Sequence, residues 1–159
     1  MAISLFRVDD RLVHGQVAEV WSRFLGANRI IVVDDFTAKD TFLTRIMVMM
    51  SPAGCKVEVY TAEDAFEPIC RYAANAAIRC IVLFSTPIMA EELFRRGLSI
   101  PKLCIGGMQR RGDRKPFYKN HHASKEELAA LCRMNDGGTA IYHKVVPVEE
   151  AVDLQGYIR

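Results

Sequence analysis

Neither sign of charge dominates this chain: 21 lysines and arginines face 19 aspartates and glutamates, for a net charge of +2. A balance of that size provides no global field to hold nucleic acid or an anionic membrane, so recognition must be local. No apolar run approaches the length of a membrane span. The opening Met-Ala-Ile-Ser-Leu-Phe-Arg reaches charge too early for a secretory signal. The five cysteines (Cys55, Cys70, Cys80, Cys104, Cys132) include no C-x-x-C pair and lie mostly in apolar runs. Buried free thiols in a reducing cytoplasm are therefore expected, not disulfides or a metal site. Neither G-x-x-x-x-G-K-[ST] nor G-x-G-x-x-G occurs, so no nucleotide donor is indicated and no cofactor is assigned. Repeats and linkers are missing too, and residues 1–159 read as a single domain.

What is present is a regular alternation. Short apolar runs at Ile3 to Val8, Ile30 to Val33, Lys56 to Tyr60, Cys80 to Phe84, Leu103 to Ile105 and Ala140 to Val146 read as strands. Between them, Val17, Val20, Trp21, Phe24 and Leu25 form one apolar helical face closed near Gly26. Further helices are predicted over Asp40 to Met50, Ala62 to Ala74 (kinked or shortened by Pro68), from Pro87 to Gly97, and from Ser124 to Gly137 with Ser124 and Glu127 as a capping box. Strands too apolar to be half exposed imply an α/β fold: an open, mostly parallel central sheet with helices on both faces, three layers in all. In such sheets sites lie beyond the carboxyl ends of strands, where the winding reverses.

That position holds Arg7-Val8-Asp9-Asp10-Arg11-Leu12-Val13-His14-Gly15-Gln16-Val17. Two arginines, two carboxylates and a histidine fall within eight residues, directly before a glycine and a helix N-terminus. A neutral imidazole attacks phosphorus at physiological pH, which makes His14 the candidate nucleophile. Phosphoryl transfer needs positioning and cationic stabilisation of the equatorial oxygens, a role that fits Arg11, Arg7 and the amides at the helix start. Gly15 keeps Cβ bulk from the incoming group, and a carboxylate, Asp9 in preference to Asp10, fixes the ring tautomer. The same residues also fit a blander reading, a solvated turn with surface ion pairs in which His14 merely caps the helix.

The segment Val-Asp-Asp-Arg-Leu-Val-His-Gly-Gln-Val strongly resembles the active-site segment of the IIB component of mannose/fructose/sorbose-type sugar phosphotransferase systems. The likeness continues in Arg29 to Asp40, Ser51 to Val57, Thr86-Pro87 and Ile105-Gly-Gly-Met108. It implies a protein-Nπ-phosphohistidine–sugar phosphotransferase with its phosphohistidine at His14. A IIA phosphocarrier would load it, and it would discharge onto a sugar held by the membrane-embedded IIC/IID permease. It further implies a self-associating subunit, cytoplasmic and peripheral at the inner face of the bacterial plasma membrane. Catalytic roles fall on His14, Arg11 and Asp9, and phosphate binding on Arg7, Arg11, Gly15, Gln16, Ser85 and Thr86. Where the family often has lysine and asparagine, this chain carries Ser85 and Cys104. A regulatory carrier uncoupled from transport, and a receiver-like signalling domain, are the alternatives.

Other polar clusters read as structural. Asp34-Asp35 is expected to cap a helix. His121-His122 and His143 lack ligand spacing, so no metal is assigned and surface or partner contact is expected. Gln109 to Lys115, with four basic residues among seven, is either a solvated loop or a docking surface for an acidic partner.

Overall fold

The computed structural model describes residues 3–159. A seven-stranded sheet runs in the order β3-β2-β4-β1-β5-β8-β9. Its strands are β1 (Leu5–Asp9), β2 (Arg29–Val33), β3 (Lys56–Tyr60), β4 (Cys80–Phe84), β5 (Lys102–Gly107), β8 (Ala140–His143) and β9 (Val152–Asp153). All pairings are parallel except that of β9 with β8. A separate antiparallel hairpin joins β6 (Lys115–Tyr118) to β7 (His121–Ala123).

Alternate residues of each strand supply two cores, the signature of a sheet covered on both faces. Phe6, Val8, Ile31, Val33, Val82, Phe84, Leu103 and Ile105 pack against α4 (Ala62–Ala73), α5 (Pro87–Arg95) and α6 (Lys125–Asp136). Leu5, Ile30, Val32, Ile81, Leu83 and Cys104 pack on the other side, with Val17 and Trp21 of the first helix. That first helix is a π-helical segment (Gln16–Trp21) continuing as α1 (Ser22–Leu25) and closed by Gly26 in the left-handed conformation. α3 (Thr41–Met49) contributes Met47 to the same layer.

The first helix therefore leaves β1 over one face, while α5 leaves the neighbouring β4 over the other. A crevice opens at the carboxyl ends of such a pair of strands. Most predicted elements are found within a few residues of their expected bounds. Four features depart from expectation: the short α2 (Asp35–Ala38), the π-helical turn, the β6–β7 hairpin and β9. α4 also runs through Pro68 instead of stopping there. The five cysteines are free thiols.

Candidate active site

Arg7, in the middle of β1, is fully buried. Its Nη1 donates to the Lys144 carbonyl at 2.8 Å and contacts Cys104 Sγ at 3.3 Å. Its Nη2 reaches the Val145 carbonyl at 3.3 Å and Asp9 Oδ2 at 3.4 Å, and the guanidinium lies over the Trp21 ring, 5.2 Å from its centroid. The opposite side is closed by β5: a Cβ at Gly106 would stand 2.0 Å from Arg7 Cζ. A glycine at 106 is what allows an arginine to cross the sheet there. Arg7, expected to bind phosphate, is fully buried, and its guanidinium is held at the floor of the site by Asp9 and the Lys144 and Val145 carbonyls.

Asp9 gathers the site. Its Oδ1 accepts from the Arg11 amide (3.2 Å) and Nε (3.0 Å), and its Oδ2 faces Arg11 Nη2 and His14 Nε2, each at 3.0 Å. Burial alone would raise the Asp9 carboxyl, but hydrogen bonds from His14 and Arg11 and the charge of Arg7 outweigh it and hold it at about 2. A carboxylate that stays ionised can only accept, so His14 Nε2 carries a proton, and in the neutral ring Nδ1 is the nitrogen that keeps its lone pair. The tautomer is assigned from this hydrogen bond. Two guanidiniums against one carboxylate leave an excess of positive charge around the ring. Asp9 is fully buried and the Asp10 side chain is 1 % exposed, which rules out the solvated-turn reading.

The loop between Asp9 and His14 is held by its own side chains. Leu12 adopts a left-handed φ of 60°, a conformation that costs a non-glycine residue on the order of 1 kcal/mol. The Leu12 and Val13 side chains are both buried in the first-helix core, which over-determines the turn. His14 follows with its side chain 17 % exposed, and its carbonyl accepts from the Ala18 amide at 2.8 Å as the helix begins. Gly15 is helical (φ −47°, ψ −48°), and a Cβ there would meet nothing within 4 Å. Neither its backbone nor its packing requires glycine. Gln16 is half-buried and, with Arg11, borders a cavity of about 590 Å³ between the ends of β5 and β8.

Asp10 turns the other way. Its Oδ2 accepts from Arg114 Nη1 and the Gln109 amide, each at 2.7 Å, and forms an ion pair with Arg111 Nη2 at 3.1 Å. Arg114 in turn makes a two-pronged pair with Glu127 at 2.8 Å on both prongs, and Thr86 Oγ1 donates to Glu127 Oε2 at 2.6 Å. The basic segment is therefore not simply a solvated loop, because Arg114 is only 7 % exposed. Nor are the histidines at the surface as expected. His121 and His143 are buried edge to face, 4.4 Å apart, against the carbonyls of Gly106 and Ile105. Burial first, and His143 second, push the His121 imidazole below its ordinary value. Asp34 caps α2 through Thr37, and Asp35 accepts from the Ala62 amide. Among the described residues no cluster of three or more ligating side chains is suited to a metal.

The chain matches the family described as "PTS system sorbose subfamily IIB component" over residues 3–159. It belongs to that family. The sorbose-specific EIIB component of Lacticaseibacillus casei is 30% identical over 154 residues, covering 97% of this chain and 93% of the relative. The N-acetylgalactosamine-specific IIB component 2 of Escherichia coli K12 is 30% identical, covering 96% of each. The crystal structure of the IIBSor domain of the Klebsiella pneumoniae sorbose permease superimposes with a TM-score of 0.87 at 31% identity, over 99% of this chain and 96% of that one. The receiver-like alternative is accordingly not favoured. As a phosphotransferase-system component the chain is part of a transferase, of a kind that works with IIA and IIC/IID partners.

Ser85 and Cys104, where the resemblance led lysine and asparagine to be expected, both have structural partners in this IIB component. Ser85 Oγ donates to Asp34 Oδ1 at 2.8 Å, and the Cys104 thiol lies on Arg7. With Thr86 donating to Glu127, both hydroxyl protons at the end of β4 are engaged within the protein. The Asp10–Arg114–Glu127 chain was missed. Arg114 and Glu127 each had a visible local role, as loop cation and helix cap, but nothing in their spacing joins them to Asp10.

Proposed function

We propose that His14 Nδ1 accepts a phosphoryl group from a IIA partner and passes it to a sugar held by the membrane-embedded IIC/IID permease. The single observation behind this reading is the 3.0 Å contact of His14 Nε2 with the buried Asp9 carboxylate. It leaves Nδ1 as the unprotonated nitrogen, so no proton need be removed before attack. The donor's N–P bond breaks as the Nδ1–P bond forms, and the ring becomes formally cationic with its Nε2–H on Asp9. Arg11, whose side chain is 38 % exposed, is the cation at the opening, and the Gly15 and Gln16 amides begin the helix beside it. In the second step the Nδ1–P bond breaks and a P–O bond forms to a sugar hydroxyl; the bond pair returns to Nδ1, leaving His14 neutral with its Nε2–H, and the hydroxyl proton passes to solvent. On this reading the second transfer takes place beside the permease at the inner face of the membrane; no helix among the described residues is long and apolar enough to cross a membrane.

The test is phosphorylation from phosphoenolpyruvate through the general energy-coupling proteins and a IIA component. Mass spectrometry would locate the label and ¹⁵N NMR the nitrogen. An acid-labile, alkali-stable phosphate on His14 Nδ1, absent from a folded His14→Ala variant, is the expected result. Label on Nε2, or label retained without His14, would overturn the assignment.

A further inference from the structure

We infer that Arg114 is a positioning residue for His14: bridging Asp10 to Glu127 and Thr86, it clamps the phosphohistidine loop from the side opposite Asp9. The inference rests on the phosphocarrier reading and extends it to residues outside the loop. The charged links are buried at their side chains, and one Asp10 oxygen, Oδ2, takes all of its contacts while Oδ1 has no partner among the described residues. The Arg114 side chain is 7 % exposed, and its three nitrogens all donate: Nε and Nη2 to Glu127, Nη1 to Asp10 and, at 2.9 Å, to the Gln109 carbonyl. Glu127 is itself fixed as the partner of Ser124 in the capping box that starts α6, and by Thr86 at the end of β4. The far end of the chain is therefore a helix terminus and a strand terminus, both rigid.

The near end is the loop. Asp10 is tied by its carboxylate to Arg114 and the Gln109 amide, and by its own amide to the Gly107 carbonyl at 3.0 Å. Three residues separate it from His14, and one of them is Leu12 in its left-handed conformation. Such a turn persists only where its surroundings over-determine it. Asp9 and the buried Leu12 and Val13 side chains hold it from the first-helix side, and Arg114 is the anchor on the other. A lysine cannot replace that anchor, because a point charge lacks the planar fork that grips Glu127 while a third nitrogen reaches Asp10. Displacing a nucleophile by a fraction of its bond-forming distance slows a transfer without weakening the docking of the donor.

The experiment compares wild type with Arg114→Lys and Glu127→Gln, the second keeping both shape and an acceptor for the capping box. Fold is checked by near-UV circular dichroism, transfer by stopped flow against phosphorylated IIA, and the ring by ¹⁵N NMR of His14 in the unphosphorylated protein. The expected result is a kcat lowered roughly 10- to 100-fold with KM for the donor unchanged. The His14 nitrogens should also move from a single Nε2–H tautomer towards a mixture. In folded variants, an unchanged kcat with unchanged His14 resonances would reduce Arg114 to a stabilising ion pair and overturn the proposal. So would a raised KM at constant kcat, which would make it a docking residue. If Arg114→Lys does not fold, Glu127→Gln decides. Absence of phosphorylation in wild type would defeat the phosphocarrier reading, whereas the tautomer measurement would still judge Arg114.

Discussion

Asp9 and Asp10 are neighbours at the end of one strand, both buried and both paired with arginine, yet they serve opposite sides of the sheet. Alternation along β1 puts Leu5, Arg7 and Asp9 on the side of the first helix, where Trp21 lies under Arg7, and sends Asp10 towards α6. Asp9 touches the reacting ring. Asp10 touches only the groups that hold the loop. A pair of adjacent acids is thus divided into one that sets the chemistry of His14 and one that sets its place, with Asp9 the last residue of β1 and Asp10 the first of the turn.

The sharpest way to break that comparison is to remove each acid in turn. Asp9→Ala strands the fully buried Arg7 guanidinium without a counter-charge, a loss of about 3–5 kcal/mol. Asp10→Ala leaves Arg114 its two-pronged pair with Glu127, so about 1–3 kcal/mol is expected. Urea unfolding at neutral pH measures both. Equal losses would mean that the two carboxylates are interchangeable supports and that Arg7 needs no partner.

Acid separates the same two regions less drastically. The Asp9 carboxyl is lowered from 3.8 to about 2, so the unfolded chain binds its proton first. The stability Asp9 provides is fully present above pH 3.8 and is lost as pH falls through about 2. On the Asp10 side, burial would raise Glu127, but hydrogen bonds from Arg114 and Thr86 prevail and lower it from its ordinary 4.5. Its contribution is therefore present above pH 4.5 and begins to fall below that value. Stability curves for Asp9→Asn and Glu127→Gln should each lose one part of this slope, the Asn variant flattening between pH 3.8 and about 2. An unaltered slope in Asp9→Asn would show that the carboxyl is not held low by His14 and Arg11.

These contrasts also explain what could be read from the sequence. The sheet was legible because Ile30 to Val33 and Cys80 to Phe84 are apolar on both faces, and only a doubly covered strand has that composition. The Asp9–Arg11–His14 arrangement was legible because the partners lie within six residues. The burial of Arg7 was not legible because it depends on how closely Gly106 approaches across the sheet, which no local pattern records. The β6–β7 hairpin was hidden by its turn, where Lys119, and not a glycine, takes a positive φ of 46°. α2, at four residues, spans barely one turn, too few for a helical period to show. His121 and His143 looked exposed because an imidazole in a short polar segment has no apolar signature. Asp10 and Arg114 meet across 104 residues, a contact that only the fold creates.

The smallest expected effect on stability belongs to Gly15, and it sharpens the contrast with the glycine beneath the site. A Cβ at Gly106 would collide with Arg7, whereas Gly15 has helical angles open to any residue and nothing within 4 Å of a Cβ. Gly15→Ala should therefore leave stability within about 0.5 kcal/mol of wild type, as for a surface site without special contacts. If that empty space is the path by which the phosphoryl group and its carrier reach Nδ1, the methyl group acts only when the path is used. Transfer from phosphorylated IIA should then slow while the unfolding midpoint and the His14 ring resonances stay fixed. Transfer at the full wild-type rate in Gly15→Ala would show that the approach to His14 lies elsewhere around the ring, and would direct attention to the side lined by Arg11 and Gln16.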